Sequence, residues 1–168
     1  MTAPTTAVVV GNPKPNSRTL AAATSLARTL SGAEPDLVVD LATLGPALLD
    51  WSDETVAGLV REVGAADLVV VASPTYKGAY TGLLKLFLDR FAGGTGLRGL
   101  AVPLMLGGSP AHSLAPELTL RPVLTEIGAT VPGRGLYVVD AQHDDPAAYA
   151  DWLAATSPFV TAFLGARA

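Results

Sequence analysis

Apolar residues in this chain come in short uniform runs separated by segments of helical spacing. The runs cover residues 8–10 (Val-Val-Val), 37–41 (Leu-Val-Val-Asp-Leu), 67–72 (Asp-Leu-Val-Val-Val-Ala), 100–106 and 135–139. They are rich in β-branched residues and do not alternate with polar ones. That pattern predicts strands buried on both faces of a parallel sheet. Between them, residues 17–30 place Leu20, Ala23, Leu26, Ala27 and Leu30 at helical spacing. Residues 53–65 open on Asp53 as a cap and carry Val56, Leu59, Val60 and Val63. Residues 81–91 carry Leu83, Leu84, Phe87, Leu88 and Phe91, and residues 113–127 and 146–164 complete the helical set. Strands alternating with helices predict an α/β chain built on a doubly wound sheet of five parallel strands, with helices on both faces.

The expected strand order is 2-1-3-4-5, the flavodoxin-like arrangement. Ligands of such sheets sit beyond the carboxyl ends of the strands, where strands 1 and 3 part. This rule selects three loops. The first, residues 11–20, reads Gly-Asn-Pro-Lys-Pro-Asn-Ser-Arg-Thr-Leu. A helix N-terminus presents free N–H groups and partial positive charge, and Ser17, Arg18 and Thr19 add donors and a full charge. The segment lacks both the Gly-Lys-Ser/Thr of nucleotide triphosphate loops and the spaced glycines of dinucleotide folds. A hydroxyl-rich loop suits a terminal phosphomonoester such as that of flavin mononucleotide (FMN). An N-cap at Asn16 or Ser17 explains the same residues.

The second loop, residues 73–82, reads Ser-Pro-Thr-Tyr-Lys-Gly-Ala-Tyr-Thr-Gly. Pro74 sets the chain direction, and Gly78 lets backbone approach a flat ligand. Free amides here, with Lys77 nearby, suit the pyrimidine edge of a flavin. A plain strand-to-helix turn capped by Thr81 is the other reading. The third loop holds Gly107, Gly108, Ser109, Pro110, Ala111 and His112. The glycines permit close approach to a ring, and His112 reads as a cap or packing residue rather than an acid or base. No catalytic side chain is expected, because hydride transfer to a flavin needs no protein base.

Composition narrows the function. The chain has 168 residues, which is most simply one domain, and 49% of them are hydrophobic, which excludes disorder. It has no cysteine, which excludes disulfides and thiol chemistry and fits a cytoplasmic protein. A net charge of −4 argues against nucleic acid as a partner. No run approaches a membrane span, and no secretory leader is apparent. The acidic segment 140–145, with Asp140, His143, Asp144 and Asp145, lacks Ca²⁺-loop spacing and reads as a solvated turn, so no metal is expected. The low charge and abundant Ala and Gly point to some surface buried between subunits.

The run from Ser73 through Pro74, Thr75, Tyr76, Lys77 and Gly78 to Arg90 resembles the signature of NAD(P)H-dependent FMN reductases. The phosphate loop is similar to theirs. Gly107-Gly108-Ser109-Pro110-Ala111-His112, followed by Leu120-Arg121-Pro122, is similar to the branch that serves sulfonate-using two-component monooxygenases. The resemblance implies that Ser17, Arg18 and Thr19 hold the FMN phosphate, and Gly11 and Asn12 of the same loop are expected among the cofactor-binding residues. It implies that Pro74, Thr75, Tyr76, Lys77 and Gly78 hold the ring and that Gly107 and Gly108 border it, and His112 is expected among the cofactor-binding residues. It further implies NADPH or NADH as hydride donor, a homodimer or homotetramer, and a flavin-dependent monooxygenase as partner. That branch commonly carries an aromatic or histidine insertion in the helix after strand 4. Leu118 stands there in this chain, and Pro122 predicts a bend in that helix. An FMN-bound quinone, azo or chromate reductase, a flavodoxin-like electron carrier and a regulatory flavoprotein are the competing readings. Arg98 and Arg134 are the basic loop residues considered for reading the nicotinamide nucleotide.

Overall fold

The computed structural model describes residues 3–167. Strands β1 (Thr6–Val10), β2 (Leu37–Asp40), β3 (Leu68–Pro74), β4 (Leu100–Gly107) and β5 (Leu136–Val139) form one parallel sheet. Its order is β2-β1-β3-β4-β5, as the sequence pattern predicts. The three central strands are buried along their whole length. The edge strands are not: Val38 on β2 is 44% exposed. A uniformly apolar run therefore overstates burial at a sheet edge, where one side lacks a neighbouring strand.

Alternate residues of each strand face opposite layers. Ala7, Val9, Val69 and Val71 pack against Val56, Val63, Leu84, Phe87, Leu120 and Leu124 on one face. Val8, Val10, Val70 and Val102 meet Ala22, Ala23, Leu26, Tyr149 and Val160 on the other. Helix α1 (Arg18–Ser31) is capped by the Ser17 hydroxyl, which accepts from Leu20 N–H, and ends at Gly32 with φ +76°. Asp53 and Thr81 cap α2 (Glu54–Ala65) and α3 (Gly82–Leu88) in the same way. Among the described residues, no helix is long and apolar enough to cross a membrane.

The structure moves several expected boundaries: β1 begins at Thr6 and β3 runs on to Pro74, and three further changes have a local cause. Strand β2 ends at Asp40 rather than Leu41, because the Asp40 carboxylate caps a 3₁₀ turn, Leu41–Thr43. Helix α3 stops at Leu88 rather than Phe91. There Arg90 and Phe91 N–H tighten onto the Phe87 and Leu88 carbonyls, and Phe91 turns its ring edge-on to Phe87 at 5.4 Å.

The third correction concerns the helix expected over residues 113–127, which is broken into pieces. A π turn covers Pro116–Leu120 and leads into α4 (Arg121–Glu126). In a regular α-helix the Pro122 ring would collide with the carbonyl four residues back, that of Leu118. The widened turn, in which Arg121 N–H donates to the Pro116 carbonyl, precedes that proline. The expected irregularity is present, as a π turn rather than a simple bend.

Glu117 anchors this turn. Its carboxylate accepts from Gly135 N–H at 2.7 Å and from Arg121 at 3.0 Å. The Gly135 bond most strongly holds the Glu117 carboxyl below its usual pKa, against the opposing effect of burial, and Arg121 adds to it. A depressed folded pKa contributes stability above the unfolded value, and that stability is lost as pH falls through the folded one. Glu117→Gln is expected to cost about 1–2 kcal/mol near neutral pH, at the lower end of what hydrogen bonds to a charged group are worth, because the glutamine oxygen can still accept from Gly135. The gap from the native protein closes in acid, below roughly pH 4. Denaturant midpoints across pH check this; an acid-side gap as wide as the neutral one contradicts it.

The following helix, α5 (Ala147–Gly165), covers the α1 side of the sheet and carries Pro158 in its interior.

Candidate functional site

The strands end nearly in register, with Val10 opposite both Asp40 and Ala72, Pro74 opposite Leu106 and Gly107 opposite Val139. The three selected loops therefore leave the sheet along one rim. Gly11 N–H donates to the Ala72 carbonyl at 2.8 Å, carrying the β1–β3 pairing past the strand end. The Thr81 hydroxyl donates to the Gly11 carbonyl at 2.5 Å while accepting from Leu84 N–H. A Cβ on Gly11 would lie 2.4 Å from the Leu84 Cβ, so only glycine lets α3 seat directly on the first loop.

Within the first loop, Asn12 Nδ2 donates to Thr19 Oγ1 at 3.0 Å, and Asn12 Oδ1 accepts from Lys14 N–H at 2.9 Å. Asn16 takes a left-handed φ of +52° and donates its N–H to the Asp40 carboxylate at 3.0 Å. The Ser17 hydroxyl caps the helix and keeps its own proton free to donate. Thr19 is buried, 1% exposed, and braces Asn12. The Arg18 and Thr19 amides have no partner among the described residues. Arg18 points outward, and its Nη1 meets the Asp140 carboxylate at 2.5 Å.

The second loop is a tight two-residue turn. Tyr76 and Ala79 exchange backbone hydrogen bonds at 2.9 and 3.2 Å. Lys77 and Gly78 between them have φ of +54° and +80°. Two successive positive φ values make a type I′ turn, which favours glycine. The turn leaves the Lys77 and Gly78 amides without a partner among the described residues. Ser73 closes the loop by donating to the Pro74 carbonyl at 2.8 Å and accepting from Thr81 N–H at 3.0 Å. Pro74 itself is the buried last residue of β3. Tyr76 and Lys77 project into solvent.

The third loop meets the second. The position of a Cβ on Gly78 lies 3.8 Å from His112 Cδ2. A Cβ on Gly107 would fall 2.0 Å from the Tyr137 phenol oxygen, whereas one on Gly108 meets nothing within 4 Å. A side chain at Gly107 would thus push the Tyr137 ring from its place, and Gly108 borders open space. The Tyr137 hydroxyl donates to the Ser109 carbonyl at 2.6 Å, and burial raises its pKa. The Thr75 hydroxyl is buried close to that phenol and has no partner within hydrogen-bonding geometry among the described residues.

A family model described as NADPH-dependent FMN reductase matches residues 4–144. The chain belongs to this family. An FMN reductase (NADPH) of Pseudomonas aeruginosa is 33% identical over 158 residues, covering 86% of this chain and 82% of that protein. One from Escherichia coli is 37% identical over 82 residues, but the match spans less than half of each: 49% of this chain and 43% of the relative. A crystal structure of an NADH:FMN oxidoreductase in its apo form superposes with a TM-score of 0.81 at 32% identity, over 98% of this chain and 90% of that one.

The residues of this rim fit the FMN that the family name implies. Free amides stand at two places, the α1 N-terminus and the Lys77–Gly78 turn. The buried Thr75 hydroxyl of the second loop has no hydrogen-bond partner among the described residues. The surface beside Gly108 is open.

Arg98 and Arg134 stand apart. They precede β4 and β5 and therefore lie at the amino ends of these strands, opposite the rim. Three participants escaped the sequence reading. Asp140, expected in a solvated turn, holds Arg18; Asp40 holds Asn16; Tyr137 fills the space over Gly107. Both aspartates end a strand on the ligand side of the sheet, and that position was the available signal.

Proposed function

We propose that this chain is an NAD(P)H-dependent FMN reductase, acting as a single FMN-binding domain over residues 1–168. The observation that carries the proposal is the meeting of the capped, amide-rich start of α1 with the open type I′ turn on one rim. The Arg18 and Thr19 amides, the Ser17 hydroxyl and the Arg18 guanidinium hold the phosphate. Gly11, Asn12 and buried Thr19 keep that loop in shape. The Lys77 and Gly78 amides bind the polar edge of the ring, with the Lys77 charge favouring the reduced, anionic form. Pro74, Thr75, Tyr76, Gly107, Gly108 and His112 bound the ring's seat. When bound, FMN supplies the redox chemistry, accepting hydride from NADPH or NADH at N5. The protein contributes position and electrostatics, and no side chain is assigned proton transfer.

The proposal extends to a cytoplasmic homo-oligomer. Leu114 before the π turn and Leu118 within it are 51% and 67% exposed, and Leu86 on α3 is 36% exposed, which supports contact between copies through these helices. Reduced FMN would pass to a flavin-dependent monooxygenase. Fluorescence titration with FMN tests the binding: saturable quenching supports it, and none sinks it. Protein that purifies yellow with one FMN per chain would favour a reductase of quinones, azo compounds or chromate.

A further inference from the structure

Two carboxylates flank the proposed phosphate loop. Asp40, at the end of β2, is occupied by the Asn16 and Ala42 amides and so shapes the loop backbone. Asp140, at the end of β5, differs. Its carboxylate has one partner among the described residues, Arg18 Nη1 at 2.5 Å. Its carbonyl, not its carboxylate, organises the following turn by accepting from His143 N–H. Arg18 in turn has no other partner among the described residues, and both side chains are open to solvent, 62% and 39% exposed. The ion pair therefore adds little to the fold. It does place a negative charge on the guanidinium assigned to the phosphate.

We infer that Asp140 is an affinity-setting residue that competes with the FMN phosphate for Arg18. This rests on the reading of Ser17 and Arg18 as the phosphate site. Before binding, Asp140 holds the Arg18 guanidinium toward β5 and cancels its charge. A phosphate that engages Arg18 must displace this carboxylate or share the guanidinium with it. A phosphomonoester carries −1.5 to −2 charges near neutral pH, so the unpaired or shared carboxylate repels it. The effect is weaker binding and faster departure of the flavin than the same loop would give without Asp140. It acts on the phosphate alone. The device suits a protein whose flavin leaves after each cycle.

The test compares FMN with riboflavin, which has the same ring and no phosphate. Asp140→Asn keeps an oxygen that can accept from Arg18 and removes the charge. It is expected to lower the FMN dissociation constant about fivefold at low salt, from the Coulomb repulsion removed. Riboflavin binding should stay unchanged, and the gain for FMN should shrink as salt screens the pair. Asp140→Ser provides a second variant, with the same expected tightening. Unchanged or weaker FMN binding in both folded variants overturns the inference. Arg18→Gln, measured in parallel, separates it from the reading beneath it. If Arg18→Gln weakens FMN while the Asp140 variants do nothing, only the competition is wrong. If Arg18→Gln leaves FMN binding intact, the phosphate site itself is misplaced and the inference falls with it.

Discussion

Replacing Arg18 with glutamine is expected to weaken FMN binding about tenfold while leaving riboflavin binding unchanged. Hydrogen bonds to charged groups are worth about 1.5–3 kcal/mol, and the solvent-facing position of Arg18 puts it near the lower end. Two effects act together in the variant. The guanidinium charge is lost, and Asp140 is left beside the phosphate with nothing to neutralise it. The fold should be untouched, because the Arg18 side chain has no partner beyond Asp140 among the described residues. Titrations of both flavins check this. An equal loss for FMN and riboflavin would mean that Arg18 supports the ring or the fold rather than the phosphate.

The second large effect is on stability. Gly11→Ala places a methyl group 2.4 Å from the Leu84 Cβ and 3.0 Å from its Cα. Leu84 is fully buried in α3, and backbone atoms there cannot swing aside as a flexible side chain would. Overpacking of this kind costs about 1–3 kcal/mol, and the backbone contact argues for the upper half. At about 2–4 °C per kcal/mol for a chain of this size, the melting temperature should fall by roughly 5–10 °C. Moving α3 away would also stretch the Thr81-to-Gly11 hydrogen bond that joins the first two loops. FMN affinity should therefore drop along with stability. Gly58→Ala is the contrasting control. It lies inside α2, where the nearest atom to a new Cβ is the tip of Arg61 at 3.8 Å. That change should stabilise by about 0.5–1 kcal/mol through helix propensity. Thermal melts of the two variants test both signs; a neutral Gly11→Ala would show that α3 does not seat on the first loop.

The fold was legible because burial on both sheet faces leaves a strong mark. Val8, Val9 and Val10, or Leu68 through Ala72, have no polar alternation to confuse with an exposed strand. The three loops were legible because chain order places them after strands 1, 3 and 4. What escaped was set by contacts between distant segments. Arg18 and Asp140 are 122 residues apart, and neither neighbourhood announces the other. The close fit at Gly107 comes from the Tyr137 ring, on a different strand. The π turn before α4 was half visible, since Pro122 announces trouble but not the form it takes. Ser17 shows that two readings of one residue need not exclude each other: its hydroxyl accepts from Leu20 N–H as a cap, which leaves its proton for the phosphate contact proposed above.

The central claim is that this rim presents FMN to a reduced nicotinamide. The most direct measurement is anaerobic incubation of the purified protein with FMN and either NADPH or NADH, following the flavin's visible absorbance. Bleaching is expected that depends on the protein and is slower at limiting FMN in Arg18→Gln. Flavin that binds but stays oxidised with both nucleotides would contradict it and point to an electron carrier instead.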